Sequence, residues 1–241
     1  MKSSELPEPI IKEYDGIFVV RDDLLDGGTK RRLFNRYIQS MSNVDEFVYY
    51  SPREGYGQLA LSYSCRDLGK KSVVFVPKGK RTELTNISES LGSTIYEVPM
   101  GYLTNLYHKS KKYCDETGSH LIPFGGDDEI MINEMCNVAS SLDVKPTQVW
   151  SVMSSGVINR GLQKCFSNVD VFGVMVGHNP TEKEIGRAVT FRSKYKFQQK
   201  CKKSELPPFP SSLTYDSKGW SYVLEKGKKG SLFWNVGGDI K

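Results

Sequence analysis

Three histidines (His108, His120 and His178) are all that 241 residues contain. None stands at ligand spacing from another histidine or a cysteine, so a zinc centre is not expected. The five cysteines (Cys65, Cys114, Cys136, Cys165 and Cys201) are dispersed without a Cys-x-x-Cys pair. An odd, scattered set argues against a disulfide framework and for reduced thiols, mostly in the core. No stretch approaches the roughly eighteen apolar residues of a membrane span. The opening MKSSELPEPI is polar and has no signal-peptide core. A cytoplasmic chain with no membrane partner is the expectation. Internal repeats and long low-complexity tails are missing as well.

What is present is an ordinary globular composition, 38% hydrophobic and 25% charged. It suits one large or two intimately associated α/β domains with an ample core. The net charge of +5 is concentrated in Lys70–Arg81, Lys109–Lys112 and above all Arg192–Lys203, which reads RSKYKFQQKCKK. Such a run with interleaved aromatics suits the phosphates of nucleic acid or an anionic substrate, and equally a solvated helix or linker face. Charge alone does not choose between them.

Along the chain, apolar runs ending in glycine or serine alternate with stretches of helical periodicity. Ile17–Leu25 predicts a strand, Gly27 and Gly28 a turn, and Leu33–Met41 a helix. Strands are expected at Glu46–Ser51, Lys71–Pro77, Ser93–Pro99, His120–Asp128, Thr147–Gly156, Val169–Gly177 and Ser231–Asp239. Helices are expected at Gln58–Gly69, Thr82–Gly92, Tyr102–Thr117, Glu129–Leu142, Asn159–Phe166 and Ser217–Glu225. The basic, proline-bounded Phe191–Pro210 reads as loop or short helix. This alternation implies right-handed crossovers and mostly parallel sheets. Ligands gather at the carboxyl ends of such strands, where helix N-termini bind anions. Four small-residue turns at strand ends suggest a phosphate-bearing cofactor.

Lys30, in Asp26-Gly27-Gly28-Thr29-Lys30-Arg31-Arg32, follows one of these turns. A lysine opening a helix feels the positive end of the peptide dipole, which disfavours its protonated form and suits Schiff-base chemistry. A solvated lysine in a basic cluster is the plainer alternative.

Taken in order, the turns resemble those of the fold type II pyridoxal-phosphate (PLP) enzymes, the tryptophan synthase β-like superfamily. The similarity is to its aminocyclopropane-carboxylate deaminase and D-cysteine desulfhydrase branch, and it covers nearly the whole chain. RDDLLDGGTKRRLF resembles that branch's RxDLxxGGNKxRKL, and PFGGDDE (Pro123 to Glu129) its Pro-x-Gly-Gly turn. SSGVINRGL (Ser154 to Leu162) is similar to the phosphate-cradling SGGTxAGL. LTYDSKGWSYVLEKGKKGSLFWNVGGD resembles the closing VYxGKAMxGL and LFxHTGG elements.

The resemblance implies two three-layer α/β/α domains sharing a cleft, a small one at about 45–118 inserted into a large one made of 1–44 and 119–241. It makes Lys30 the Schiff-base lysine that holds PLP as an internal aldimine and later acts as base. Thr29 and Tyr56 would flank the cofactor. Ser154, Ser155, Gly156 and the start of the helix at Asn159 would cradle its phosphate, and Asn235 would meet the pyridine nitrogen. As a neutral partner Asn235 would leave that nitrogen unprotonated. Gly55, Gly57, Gln58, Gly125 and Tyr215 would contact substrate, Tyr215 with a catalytic hydroxyl. Each has a plain counterpart: an ordinary helix cap for Ser154-Ser155-Gly156, a satisfied strand end for Asn235, a core tyrosine for Tyr215.

Departures accompany the likeness. Gly55 and Tyr56 stand where the branch carries a serine and an asparagine for the substrate carboxylate and cofactor ring oxygen. Val157 and Ile158 replace a glycine and a threonine, and Thr29 an asparagine. The activity implied is a PLP-dependent lyase or deaminase working on an amino acid or derived amine through a Lys30 aldimine and a Cα carbanion. The same chemistry on an aminoacylated nucleic-acid base, such as a decarboxylation in phage DNA hypermodification, would make DNA a partner. A non-catalytic relic binding a phosphorylated ligand is the third reading. Relatives form homodimers, and the resemblance extends that expectation here.

Overall fold

The computed structural model describes residues 6–238. In chain order the elements begin with β1 (Ile11–Tyr14), β2 (Ile17–Arg21), α1 (Gly28–Gln39), β3 (Glu46–Tyr50) and α2 (Gly57–Asp67). Then come β4 (Lys71–Pro77), α3 (Glu83–Ser90), β5 (Thr94–Val98), α4 (Leu103–Thr117), β6 (His120–Leu121) and α5 (Glu129–Ser140). The last third holds β7 (Gln148–Met153), α6 (Val157–Cys165), β8 (Asp170–Met175), α7 (Glu182–Ile185), β9 (Val189–Arg192), α8 (Ser217–Lys226) and β10 (Leu232–Asn235). Among the described residues, no helix is long and apolar enough to cross a membrane.

Two compact units divide the chain: Lys30–Gly126, and Pro7–Thr29 together with the described residues from Asp127 onward. The first takes in most of α1 and the turn at Phe124–Gly126 in addition to the expected 45–118. It contains a wholly parallel sheet in the order β5-β4-β3-β6. Alternate residues of β3 point to opposite faces. Val48, Val73 and Phe75 pack with Leu106 and Cys114 of α4, while on the Tyr49 side α2 comes so close that a Cβ on Gly57 would meet the Tyr49 ring at 2.5 Å. Helices therefore cover both faces.

The second unit holds a six-stranded sheet in the order β1-β2-β10-β7-β8-β9, parallel apart from β1. Ile17, Val19, Val152, Val174 and Phe233 pack with Trp220 and Val223 of α8. On the other face Asn159 of α6 donates to Ser151 Oγ at 3.0 Å. Three layers, mostly parallel strands and right-handed crossover logic agree with the expected α/β class.

Element boundaries depart from expectation where local chemistry competes with apolar pattern. The strand expected over Ile17–Leu25 stops at Arg21, and Asp22–Leu24 forms a 3-10 turn. β1 was not expected. It pairs with β2 through Asp15 and Gly16, both left-handed (φ 52° and 77°), the conformation a two-residue hairpin turn demands. Of the strand expected over His120–Asp128 only His120–Leu121 is paired. The segment expected as loop or short helix begins inside edge strand β9 and contains one 3-10 turn, Lys203–Glu205. The final strand is Leu232–Asn235; its expected end, Asp239, lies outside the described residues.

α5 and α6 touch at Gly161, where an added Cβ would lie 2.4 Å from Met135 Cβ and 2.9 Å from the Ile132 carbonyl oxygen. The gain in helix propensity from alanine is smaller than the strain of overpacking against a backbone atom. Gly161→Ala is expected to destabilise the fold by about 1–3 kcal/mol, seen as a lower urea midpoint at unchanged slope.

Candidate active site

In the unit Lys30–Gly126, the amine of Lys30 donates to the Gly125 carbonyl oxygen at 2.7 Å. No carboxylate lies within ion-pair distance of it among the described residues. The side chain as a whole is partly exposed, yet its amine is desolvated, and burial brings its pKa down to about 8. The start of α1 acts in the same direction. Gly125 is fixed in turn: its N–H donates to Tyr49 Oη at 3.1 Å, and Tyr49 stacks on Phe124 with ring centroids 6.5 Å apart. Burial raises the Tyr49 phenol, so it stays neutral. Tyr49 has no sequence motif, and only its packing marks it.

The residue before Lys30 is anchored in the other unit. Thr29 is fully buried. Its N–H donates to the Val236 carbonyl at 2.9 Å, its hydroxyl donates to Asp22 Oδ2 at 2.7 Å, and it accepts Trp234 Nε1–H at 2.9 Å. Threonine thus replaces the resemblance's asparagine with a residue that ties β10 to the turn after β2.

In that same unit β7 runs into Ser154-Ser155-Gly156 and α6. Gly156 is left-handed (φ 72°), and a Cβ there would meet the Glu184 carbonyl oxygen at 2.1 Å, so only glycine forms this turn. The first-turn N–H groups of α6 have no carbonyl within the helix, which makes them an anion cradle. Asn159 contributes only backbone: its Nδ2 donates to Ser151 Oγ and the Phe172 carbonyl, and its Oδ1 accepts from Gln163. Tyr215 supports the cradle from below. Its hydroxyl donates to the Val152 carbonyl at 3.2 Å and accepts from Ser154 N–H, and burial raises its pKa.

β10 is registered beside β7 with Trp234 opposite Ser151, so Asn235 comes to the cradle's end of the sheet. Its Nδ2 donates to Asp23 Oδ1 at 2.7 Å and the Pro210 carbonyl at 2.9 Å. Its Oδ1 has no partner among the described residues, and the same is true of Asp216 Oδ1. Asp216 is 1% exposed. Burial, helped by nearby Asp23, pushes its carboxyl well up, against the N–H groups of Val236 and Gly237. Sequence reasoning did not single out Asp216, although it stands next to Tyr215. Asn235 Oδ1 is thus a buried acceptor that calls for a donor.

In the turn Ser51–Gln58 the side-chain donors of Ser51 and Gln58 are used internally, whereas Arg53 donates to the Lys78 carbonyl at 3.2 Å and keeps a buried Nε without a partner among the described residues. Ser51 Oγ donates to the Pro52 and Gly55 carbonyls. Gln58 Nε2 donates to the Arg53 and Gly55 carbonyls, and its Oε1 accepts from Thr85. A Cβ on Gly55 would lie 2.2 Å from Ser51 Oγ, so Gly55 and Gly57 are demanded by packing. Tyr56, partly exposed, sits at the N-cap of α2. Within their own units the structure therefore brings together Lys30 with Gly125, and Ser154, Ser155, Gly156 and Tyr215 with Asn235.

In one unit the desolvated Lys30 amine suits a carbonyl carbon; in the other the helix start at Gly156 suits a phosphate and the unpartnered Asn235 Oδ1 a ring N–H, the three groups that pyridoxal phosphate offers. The free atom of Asn235 is an acceptor, so it suits a protonated ring nitrogen rather than the unprotonated one expected.

Thr29→Val keeps the shape but leaves the Trp234 N–H and one Asp22 oxygen without this partner. A loss of about 1–3 kcal/mol is expected, with Thr29→Ser recovering most of it in the same thermal melts. The lowered Lys30 pKa has two consequences. The unfolded chain holds this proton up to about 10.5 and the folded chain only to about 8, so between these values stability rises with pH, and below pH 8 the full penalty is present. At pH 8, reductive alkylation by a small aldehyde is expected to modify Lys30 ahead of Lys111, whose pKa is raised by Asp115. Peptide mapping showing equal labelling would contradict this.

No family model matches the chain. A protein of Pseudomonas phage M6 described as a glycyl-dTMP PLP-dependent decarboxylase is 27% identical, over 74% of this chain and 77% of that one. Among solved structures, an ACC deaminase homologue superposes with a TM-score of 0.84 at 14% identity, covering 96% of this chain and 90% of the other. Escherichia coli diaminopropionate ammonia lyase gives 0.74 at 14% identity over 99% and 84%, and maize serine racemase 0.72 at 10% over 97% and 88%. The chain has the fold of the fold type II PLP enzymes.

Proposed function

We propose that this chain is a PLP-dependent enzyme that decarboxylates an amino acid, of the glycyl type, carried on a thymine nucleotide. When bound, PLP supplies an electron sink for the pair released at a substrate's Cα. The chain's own groups do the rest. The Lys30 amine, neutral above about pH 8, would bond the cofactor's carbonyl carbon and, once displaced by the substrate amine, hold a proton near Cα. The α6 cradle would bind the phosphate. Asn235 Oδ1 would receive the ring N–H, which would favour the protonated ring nitrogen and strengthen the sink.

The turn Ser51–Gln58 carries the choice of reaction. A deaminase keeps its substrate's carboxylate and gains from gripping it. In a decarboxylation the Cα–carboxyl bond breaks, carbon dioxide leaves, the electron pair stays at Cα and a proton from Lys30 replaces the lost group. A charge-assisted grip on the departing carboxylate would stabilise the ground state more than the transition state and slow that step. Here the Ser51 and Gln58 donors are already bonded to their own turn. The phage relative's description supports the same reading.

Wild-type protein mixed with PLP is expected to gain a visible absorption band that Lys30→Ala lacks, and borohydride is expected to leave a pyridoxyl label on Lys30. With glycyl-modified thymidine nucleotide, carbon dioxide is expected without ammonia. Ammonia release from free amino acids would favour the deaminase reading instead. A colourless wild type would leave only a non-catalytic ligand-binding role.

A further inference from the structure

The net charge of +5 is the charge of one segment. Residues 192–205 contain Arg192, Lys194, Lys196, Lys200, Lys202 and Lys203 against the single acid Glu205, so the rest of the chain is balanced. All six cations are exposed. Glu205 is engaged by Lys194 at 2.9 Å. Lys196, Lys200, Lys202 and Lys203 have no carboxylate within ion-pair distance among the described residues. Unpaired like charges crowded into eight residues repel one another and call for an anionic partner.

The segment is held in place. Ser193, Tyr195 and Cys201 are buried between the exposed cations. Tyr222 Oη donates to the Arg192 carbonyl at 2.9 Å and Tyr195 Oη to Glu205 at 2.8 Å. Lys218, 1% exposed, donates to the carbonyls of Lys196 and Phe197, both at 2.8 Å. A buried amine thus pins the backbone from inside while the lysines project outward. Arg192 is in register with Met175 of β8, and Met175 with Met153 of β7. The segment therefore leaves the sheet at the same edge as the Ser154-Ser155-Gly156 cradle, about 10 Å along it at the usual strand spacing.

We infer that Arg192–Lys203 is a phosphate-binding rail that holds a DNA strand, so that the substrate nucleotide is part of a polymer; this rests on the decarboxylase reading above. A mononucleotide brings one phosphate and cannot engage four separate unpaired lysines. DNA presents a charge every 1.7 Å or so of its axis, so a cluster of cations on a pinned backbone has several phosphates to engage.

The test uses wild-type protein loaded with PLP, a variant with Lys196, Lys200, Lys202 and Lys203 changed to Gln, and a control with Lys109→Gln and Lys112→Gln on exposed positions of α4. Binding of a fluorescein-labelled duplex of unmodified DNA is followed by anisotropy over a salt series. The wild type is expected to bind, with affinity falling steeply as salt rises. The four-lysine variant should lose at least tenfold at low salt, and its log–log salt slope should be shallower by about 3–4, near 0.9 per lost phosphate contact. The control should match wild type, and turnover of the free glycyl-modified nucleotide should be equal in all three. A wild type that does not bind DNA, a variant with an unchanged slope, or a control that falls equally would overturn the rail. The visible band, read on the same samples, separates the two claims: DNA binding without a band in wild type removes the proposed enzyme activity and leaves the rail, while a band without DNA binding removes only the rail.

Discussion

An ammonium group with one carbonyl for company is the constraint from which the chemistry follows. The exposed lysines Lys111 and Lys194 sit beside carboxylates and are held in their charged form. Lys30 has the Gly125 carbonyl instead, and burial moves its pKa down to about 8. The shift alone does not define a reactive amine, because Lys218 is lowered to about 8 as well. What separates them is their surroundings. Lys218 is sealed in and holds two backbone carbonyls. Lys30 is partly exposed, opens a helix and is bonded to a glycine turn that Tyr49 and Phe124 fix.

A second constraint lies at the end of β10. Burying an unpaired acceptor costs about 1–3 kcal/mol, and Asn235 Oδ1 is one; Asp216, whose other oxygen accepts from the Gly237 N–H, also keeps Oδ1 without a partner among the described residues. On the proposed reading a ligand N–H donated to Asn235 Oδ1 restores the missing bond, while burial keeps the Asp216 carboxyl well up. On that reading the ring nitrogen would be kept protonated, opposite to what an asparagine taken simply as a neutral partner suggests.

The parallel strands were legible because fully buried strands read as apolar runs, and β4 occupies the run Lys71–Pro77 without change. The turns before Lys30 and at Ser154-Ser155-Gly156 were legible on another ground: glycine reports backbone shape, and Gly27, Gly28 and Gly156 are all left-handed. β1 escaped notice although Asp15-Gly16 is a hairpin signal, since Ile11–Tyr14 is a short, half-exposed edge strand with no apolar run. The Thr181–Glu184 capping box of α7 was equally visible and equally short. Tyr49 and Asp216 were illegible on other grounds. A buried tyrosine acquires meaning only from the partner its hydroxyl finds after folding and a buried aspartate from the oxygen left without one, whereas Asn159 is a polar side chain whose bonds all serve its own unit.

The Ser51–Gln58 turn and the basic segment have one explanation on the proposed reading. An enzyme for free amino acids holds its substrate by the carboxylate, the strongest handle such a small molecule has. When that carboxylate is the group to be expelled, the same grip opposes the reaction, and binding energy must come from a part of the substrate that does not react. A nucleotide in a polymer supplies that part in its neighbouring phosphates. The inward-turned donors of Ser51 and Gln58 and the surplus of cations at Arg192–Lys203 are then two sides of one change, in which recognition moves away from the reacting carbon to the chain that carries it.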